Sequence, residues 1–112
     1  MNTTITTELT WAMLREAGID TERTTREQVY DGSGRLMWTT VAADGQTQVC
    51  YSLCPDEHGQ VDPDDPCGWV AGTYEDIGDE HGHDWQFNRE YFFEPGELDG
   101  MLALVAEVTR GA

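Results

Sequence analysis

The residues of this chain with the most chemical potential lie in CPDEHGQVDPDDPC, residues 54–67. Two cysteines enclose five acids, one histidine and three prolines there, and no basic residue interrupts them. Side chains of these types can form a metal-binding loop, a loop closed by a disulfide or a charged recognition surface. The spacing of the cysteines and histidines distinguishes between these three kinds of site.

Zinc is the metal that the cysteines and histidines of this region would bind. Six candidate ligands lie between residues 50 and 83: Cys50, Cys54, His58, Cys67, His81 and His83. A zinc site needs four ligands in a tetrahedron, and its strongest signal is a close CxxC pair, which this chain lacks. Cys50 and Cys54 fall on a predicted strand, where residues four apart stand about 13 Å from each other. We therefore predict no metal and no other cofactor. A small zinc-binding domain that uses Cys54, His58, Cys67 and one of His81 or His83 stays as an alternative.

Calcium binding and a disulfide are also disfavoured in this region. DPDDP, residues 62–66, offers carboxylates at Asp62, Asp64 and Asp65, but it lacks the glycine at the sixth position and the glutamate at the twelfth that an EF-hand loop requires. A Cys54–Cys67 disulfide would leave an odd third thiol. The N-terminus does not resemble a secretion signal, and no apolar run is long enough to span a membrane. We therefore expect a protein of the host-cell cytoplasm, in a reducing compartment and without membrane contact.

Acid–base or nucleophilic catalysis would need a histidine positioned by a carboxylate. His81 and His83 lie among acids, which is compatible with such a pair. The chain has no GxSxG nucleophile motif and no GxxxxGK phosphate-binding loop. It also has no lysine, which excludes a Schiff base. We predict that the protein is not an enzyme.

Net charge is the strongest indication of what the chain binds. Twenty-two acids face six basic residues, all arginine, and the formal net charge is −16. Such a charge repels nucleic acid and anionic membranes, so we expect a basic protein as partner and no direct binding of nucleic acid. Between Arg35 and Arg89 there are eleven acids and no base. Ten of these acids, with Trp69 as an aromatic anchor, are the predicted partner-binding residues: Asp56, Glu57, Asp62, Asp64, Asp65, Glu75, Asp76, Asp79, Glu80 and Asp84.

In size and composition the chain resembles the DNA-mimic inhibitors of phages and plasmids, although it shares no sequence motif with them. The resemblance implies a non-enzymatic anti-defence protein, of the anti-CRISPR or anti-restriction type, that occupies the basic nucleic-acid-binding surface of a CRISPR effector, a restriction enzyme or a nuclease. Two further interpretations use the same charge. One is an immunity protein against a nuclease toxin, and the other is an orphan soluble protein of a halophile-like acidic proteome.

The predicted fold is a single α+β domain over residues 1–112, with an antiparallel sheet of three to five strands and an N-terminal and a C-terminal helix packed on it. Thr6 or Thr7 can cap the first helix, which runs to about Ala17 with Gly18 as its stop. Residues 27–53 predict a meander of three strands, with turns at 32–34 and at Asp44-Gly45.

The second half of the chain is predicted to hold one clear strand and one clear helix. Residues 84–93 alternate so that Trp85, Phe87, Tyr91 and Phe93 share one side of a strand. Apolar residues recur at helical spacing in the closing helix: Leu98, Met101, Leu102, Val105 and Val108. Residues 54–84 are predicted to be a loop-rich acidic segment, with only a short strand-like run at 67–74.

Overall fold

The computed structural model describes residues 8–29, 32, 34–62, 64 and 66–110. Five strands form one antiparallel sheet in the order of the sequence: β1 (Thr24–Gln28), β2 (Leu36–Val41), β3 (Thr47–Leu53), β4 (Trp69–Asp76) and β5 (Trp85–Phe93). Two α-helices flank them, α1 (Trp11–Glu16) and α2 (Leu98–Thr109). Short 3-10 turns precede β1 and α2, at Thr21–Arg23 and Pro95–Glu97. The predicted three-strand meander is confirmed as β1 to β3.

The predicted fold class, an α+β domain with two helices packed on the sheet, is wrong. The domain is mostly sheet with a single long helix, because α1 has only six residues and buries one of them, Leu14. The cap of α1 is Thr10, whose hydroxyl accepts a hydrogen bond from the backbone amide of Met13 at 3.3 Å. The caps predicted at Thr6 or Thr7 lie outside the described residues. Gly18 turns the chain after α1 with a φ of +87°, a conformation that favours glycine.

The core lies between α2 and one face of the sheet, which we call the helix face. The predicted closing helix is confirmed, and it contacts β2, β3, β4 and β5. Its apolar stripe packs against alternate residues of the three central strands: Trp38, Val49, Tyr51, Trp69 and Ala71. Near the end of the helix Thr109 is buried, and its hydroxyl donates to the carbonyl of Val105 at 2.7 Å. Burial of one apolar stripe against one sheet face therefore holds the domain together.

A chain of buried hydroxyl groups joins the first three strands. Thr24 Oγ1 donates to the carbonyl of Asp20, so it accepts from Thr40 Oγ1, and both distances are 2.8 Å. Thr40 in turn accepts from the hydroxyl of Tyr51, also at 2.8 Å. Burial raises the pKa of Tyr51 to about 12, so this hydroxyl stays protonated and donates at neutral pH. These hydrogen bonds connect β1 to β2 and β3, which are better packed.

The strand-like run predicted at residues 67–74 is the strand β4, and it divides the predicted loop-rich segment 54–84 into two parts. β4 has eight residues and pairs with β3 on one side and β5 on the other. Trp69, Ala71 and Thr73 alternate into the core, as expected of a strand buried on one face. The acids are therefore divided between the β3–β4 loop, residues 54–68, and the β4–β5 hairpin, residues 77–84.

The predicted alternation of β5 is interrupted by a β-bulge. Thr73 pairs with Arg89 and Tyr74 pairs with Phe87, so Asn88 is an extra residue without an opposite partner. Because of this extra residue, the side chains of β5 before the bulge point to the opposite sheet face from the one that simple alternation predicts. Tyr91 and Phe93 lie on the helix face, whereas Trp85 and Phe87 pair with Asp76 and Tyr74 on the opposite face. The prediction that these four residues share one side is therefore wrong.

Candidate functional site

The face of the sheet opposite α2 is the most distinctive surface of the domain, and we call it the open face. Within the described part of the chain, neither helix packs on it. Around Gly72, its central and β5-side positions carry aromatic, apolar, polar and acidic side chains: Met37, Cys50, Ser52, Val70, Tyr74, Phe87, Glu90 and Phe92. Phe87 and Phe92 are 53% and 55% exposed. Large exposed aromatic side chains that share one face indicate a surface for binding another molecule.

A shallow cavity of about 170 Å³ lies at the centre of the open face. The rings of Tyr74 and Phe87 form two adjoining walls, with centroids 5.6 Å apart and an interplanar angle of 73°. Gly72 forms the floor, and Glu90, its partner on β5, lines the rim. Arg35 lines the cavity on the β2 side, and it interacts with other residues of the chain. Burial raises the pKa of Tyr74, and Coulombic interactions with Cys50 and Glu90 raise it further.

The predicted acidic residues do not form one continuous patch. Asp56, Glu57, Asp62 and Asp64 lie in the β3–β4 loop, whereas Asp79, Glu80 and Asp84 lie in the β4–β5 hairpin. Glu75 is exposed near the hairpin end of β4, and Asp65 lies outside the described residues. The two groups are separated by the length of β4, roughly 23 Å at about 3.3 Å per residue. Negative charge is therefore concentrated at both ends of the strand that crosses the open face.

Several of these aspartates also shape their own loops. Asp56 Oδ1 accepts from the amides of His58 and Gln60, at 2.8 and 2.9 Å, and the Gln60 bond is the main reason that the pKa of Asp56 is lowered. Asp62 accepts from Asp64, and Asp79 accepts from His81, in the same way. An aspartate side chain that accepts a hydrogen bond from the backbone amide two residues later is typical of tight turns. These turns hold the acidic loops in defined conformations.

Asp76 and Trp69, two of the predicted partner-binding residues, expose little of their side chains. Asp76 Oδ1 accepts from the amides of Gly78 and Asp84, at 2.8 and 2.9 Å, and Oδ2 lies 2.6 Å from His83 Nδ1. These contacts leave the Asp76 side chain 9% exposed. Trp69 is 2% exposed and belongs to the core. Asp76 therefore organises the hairpin, and Trp69 stabilises the fold.

We expect the stability contributed by Asp76 to depend on pH. The Asp76 carboxylate accepts hydrogen bonds from the Asp84 amide and from His83, and these bonds, the Asp84 bond most of all, lower the pKa of Asp76 to about 2. A group of this kind stabilises the folded state above its unfolded pKa of about 3.9. That contribution is lost as the pH falls through about 2. The difference in urea midpoint between wild type and Asp76→Asn should therefore be constant near neutral pH and shrink below about pH 4.

Asp84→Asn is the matched control for this measurement, because it removes an exposed carboxylate and leaves the Asp84 amide in place. Its midpoint should stay close to that of the wild type at neutral pH. A difference between wild type and Asp76→Asn that stays the same from neutral pH to about pH 2 would contradict the assigned role of Asp76.

The cysteines and histidines are not assembled into a recognisable reactive centre. Among the described residues, no group of three or more His, Cys, Asp or Glu side chains is placed to hold a metal ion. All three cysteines are free thiols, and burial raises the pKa of Cys50 and Cys54. The His83–Asp76 pair has the geometry of a base and its orienting acid. The surrounding concavity is lined by residues without a hydroxyl or thiol to activate: Ile77, Gly78, Asp79, His81, Gly82, His83 and Asp84.

Comparison with known proteins adds no assignment to this geometry. No family model, curated protein or solved structure matches the chain. Within the described residues, no helix is both long and apolar enough to cross a membrane. The candidate site therefore rests on the open face and the two acidic loops.

Sequence reasoning missed the open face as a site. The sequence pattern places Phe87 on the same side of its strand as Tyr91 and Phe93, and it gives no reason to single out Glu90 or Phe92. One signal for this face was available in the sequence. Val70, Gly72 and Tyr74 alternate with Trp69, Ala71 and Thr73, so they lie on the side of the strand opposite to the buried residues. The bulge at Asn88, which brings Phe87 to the same face as Glu90 and Phe92, has no signature in the sequence.

Proposed function

We propose that this protein is a non-enzymatic binding protein that occupies the basic, nucleic-acid-binding surface of a partner protein. The observation that carries the proposal is a sheet face that neither described helix covers and that exposes Phe87 and Phe92, in a chain whose net charge is −16. Exposed rings supply contact area that is desolvated on binding, and the net charge selects a basic partner. Occupation of such a surface inhibits the partner by excluding nucleic acid.

The two acidic loops and the open face have different parts in this proposal. The loops lie at both ends of β4 and attract a basic surface over distances of about a Debye length, 8–10 Å at ordinary salt. Attraction of this kind mainly increases the association rate. Contacts with Tyr74, Phe87 and Phe92 then slow dissociation, because buried aromatic side chains dominate binding energy at interfaces. A CRISPR effector, a restriction enzyme or a nuclease has a basic groove of the required chemistry.

The proposal is tested by titrating the protein against one purified representative of each of these three partner classes. We expect at least one to bind, and duplex DNA to compete for the same partner. Affinity should fall steeply as the salt concentration is raised from about 0.05 to 0.5 M, because exposed charge pairs are screened. Lysozyme is the control, since it is basic but has no nucleic-acid groove. If no representative binds, or if lysozyme binds as tightly, the proposal fails.

Charge variants distinguish an effect of the acidic loops on association from an effect of net charge alone. Amide replacement of Asp79, Glu80 and Asp84 should lower the association rate constant by about threefold to tenfold and leave dissociation nearly unchanged. The same result is expected for Asp62, Asp64 and Asp65. The matched control replaces three exposed acids away from the open face, Glu16, Glu22 and Glu107. Equal losses in all three sets would show that net charge, and not loop position, controls association.

A further inference from the structure

We propose that Tyr74, Phe87 and Glu90 form a pocket for one arginine side chain of the partner, at the centre of the open face. This inference rests on the proposed function, because it identifies which group of a basic partner the face binds. The pocket is the shallow cavity of about 170 Å³ over Gly72. Two aromatic rings in edge contact and one carboxylate line this cavity.

The two rings are arranged as a cation would require. Their centroids are 5.6 Å apart at 73°, so they meet edge to face and present two walls at a steep angle. A Cβ on Gly72 would lie 3.5 Å from Tyr74 Cε1 and 3.7 Å from Phe87 Cε2, which places both rings directly above the glycine. The missing side chain leaves a gap of about one methyl group between the rings and the strand, because a Cβ there would make ordinary van der Waals contacts with both rings. A cation within about 6 Å of a ring centroid is attracted by the negative face of the ring.

The carboxylate of Glu90 supplies the charge that distinguishes a cation from a neutral apolar group. Glu90 pairs with Gly72 across β4 and β5, and both lie on the open face beside Tyr74 and Phe87. A planar guanidinium can stack on a ring and donate hydrogen bonds to a carboxylate at the same time. An ammonium group cannot stack in this way, so the geometry favours arginine over lysine.

Charge complementarity selects a partner protein over a second copy of this chain. A second copy carries the same net charge of −16, and only six arginines are present in the whole sequence. Arg35 lines the β2 side of the same cavity, but it has its own interactions within the chain. The other described arginines lie on other surfaces. Arg26 stacks on Trp38 at 5.4 Å, and Arg89 stacks on Tyr91 at 4.9 Å, both on the helix face.

The test uses N-acetylarginine methylamide as the probe and N-acetylcitrulline methylamide as its neutral isostere. Each is titrated into the isolated protein, and NMR shifts of the Tyr74 and Phe87 ring protons are followed. A free cation is expected to bind weakly, in the range of about 1–100 mM. We expect the arginine probe to shift both rings and the citrulline probe to bind at least about fivefold more weakly.

Variants locate the binding within the pocket. Phe87→Leu and Glu90→Gln should each weaken the arginine probe by about threefold to thirtyfold, whereas Phe92→Leu, an equally exposed phenylalanine on the same strand and face, should not. Gly72→Val fills the floor and should abolish binding. Because glycine is unfavourable inside a strand, the unfolding midpoint of Gly72→Val should be unchanged or higher.

The failure of this inference can be told apart from the failure of the proposed function, because the probe titration needs no partner. Equal binding of the two probes, no binding of either, or an equal loss in Phe92→Leu and Phe87→Leu would each overturn the arginine pocket. If these results occur while a partner still binds, only the pocket is wrong. If the arginine probe binds as expected while no partner class does, only the proposed function is wrong.

Discussion

Trp69→Ala is expected to lower the free energy of unfolding by about 3–5 kcal/mol, since deleting a large buried side chain loses its transfer free energy and leaves a cavity. The Trp69 side chain is 2% exposed and packs in the core below α2. Domains of this size have total stabilities of about 5–15 kcal/mol, so the change should be large in a urea or thermal unfolding experiment. The effect tests directly whether Trp69 is a core residue or the partner-binding anchor that the sequence predicted.

Two control variants sharpen this prediction. Trp69→Phe should cost much less than Trp69→Ala, because it keeps most of the apolar volume and removes an indole N–H that has no hydrogen-bond partner among the described residues. Trp85→Ala, at a half-buried position in β5, should also cost less. If Trp69→Ala leaves the unfolding midpoint unchanged and abolishes partner binding, Trp69 is exposed to the partner and the assignment of the core is wrong.

The elements that the sequence predicted correctly are those whose pattern depends on one segment alone. The spacing of Leu98, Met101, Leu102 and Val105 defines a helix face without reference to any other part of the chain. Alternating residues and the Asp44-Gly45 turn define the β2–β3 hairpin in the same way. These are the parts of the fold that the structure confirms.

β4 was underestimated because its local signals conflict. Its alternating pattern is short, and Gly68, Gly72 and Gly78 together with flanking acids are typical of loops. In the structure this strand gains its stability from two neighbouring strands at once, which cannot be read from residues 69–76 alone. Strand formation is more dependent on tertiary context than helix formation.

The candidate site was only partly predictable for the same reason. The excess of acids was evident, but their separation into two loops depends on the path of β4. The role of Asp76 depends on amides two and eight residues away, which come together only when the hairpin closes. The position of Phe87 depends on a bulge that is defined by the register against Thr73 and Tyr74. Each of these features arises from pairing between strands.

The open face is expected to become inaccessible to solvent when the partner binds, and the face that carries α2 is not. A standard protein interface covers about 800 Å² on each partner, which is enough to cover the exposed rings of β4 and β5 together. Phe87 and Phe92 are more than half exposed in the free protein, so their loss of accessibility should be large. Met13, beside Leu102 of α2, and Trp11, which packs on Trp38, lie on the other side of the sheet.

Hydroxyl-radical footprinting of the free protein and of its complex with a partner class that binds measures this accessibility one side chain at a time. We expect oxidation of Tyr74, Phe87 and Phe92 to slow by at least about threefold in the complex, as fully desolvated interface residues should. Oxidation of Trp11 and Met13 should remain unchanged. Protection of Trp11 and Met13 with continued oxidation of Phe87 and Phe92 would contradict the assignment of the open face as the binding surface.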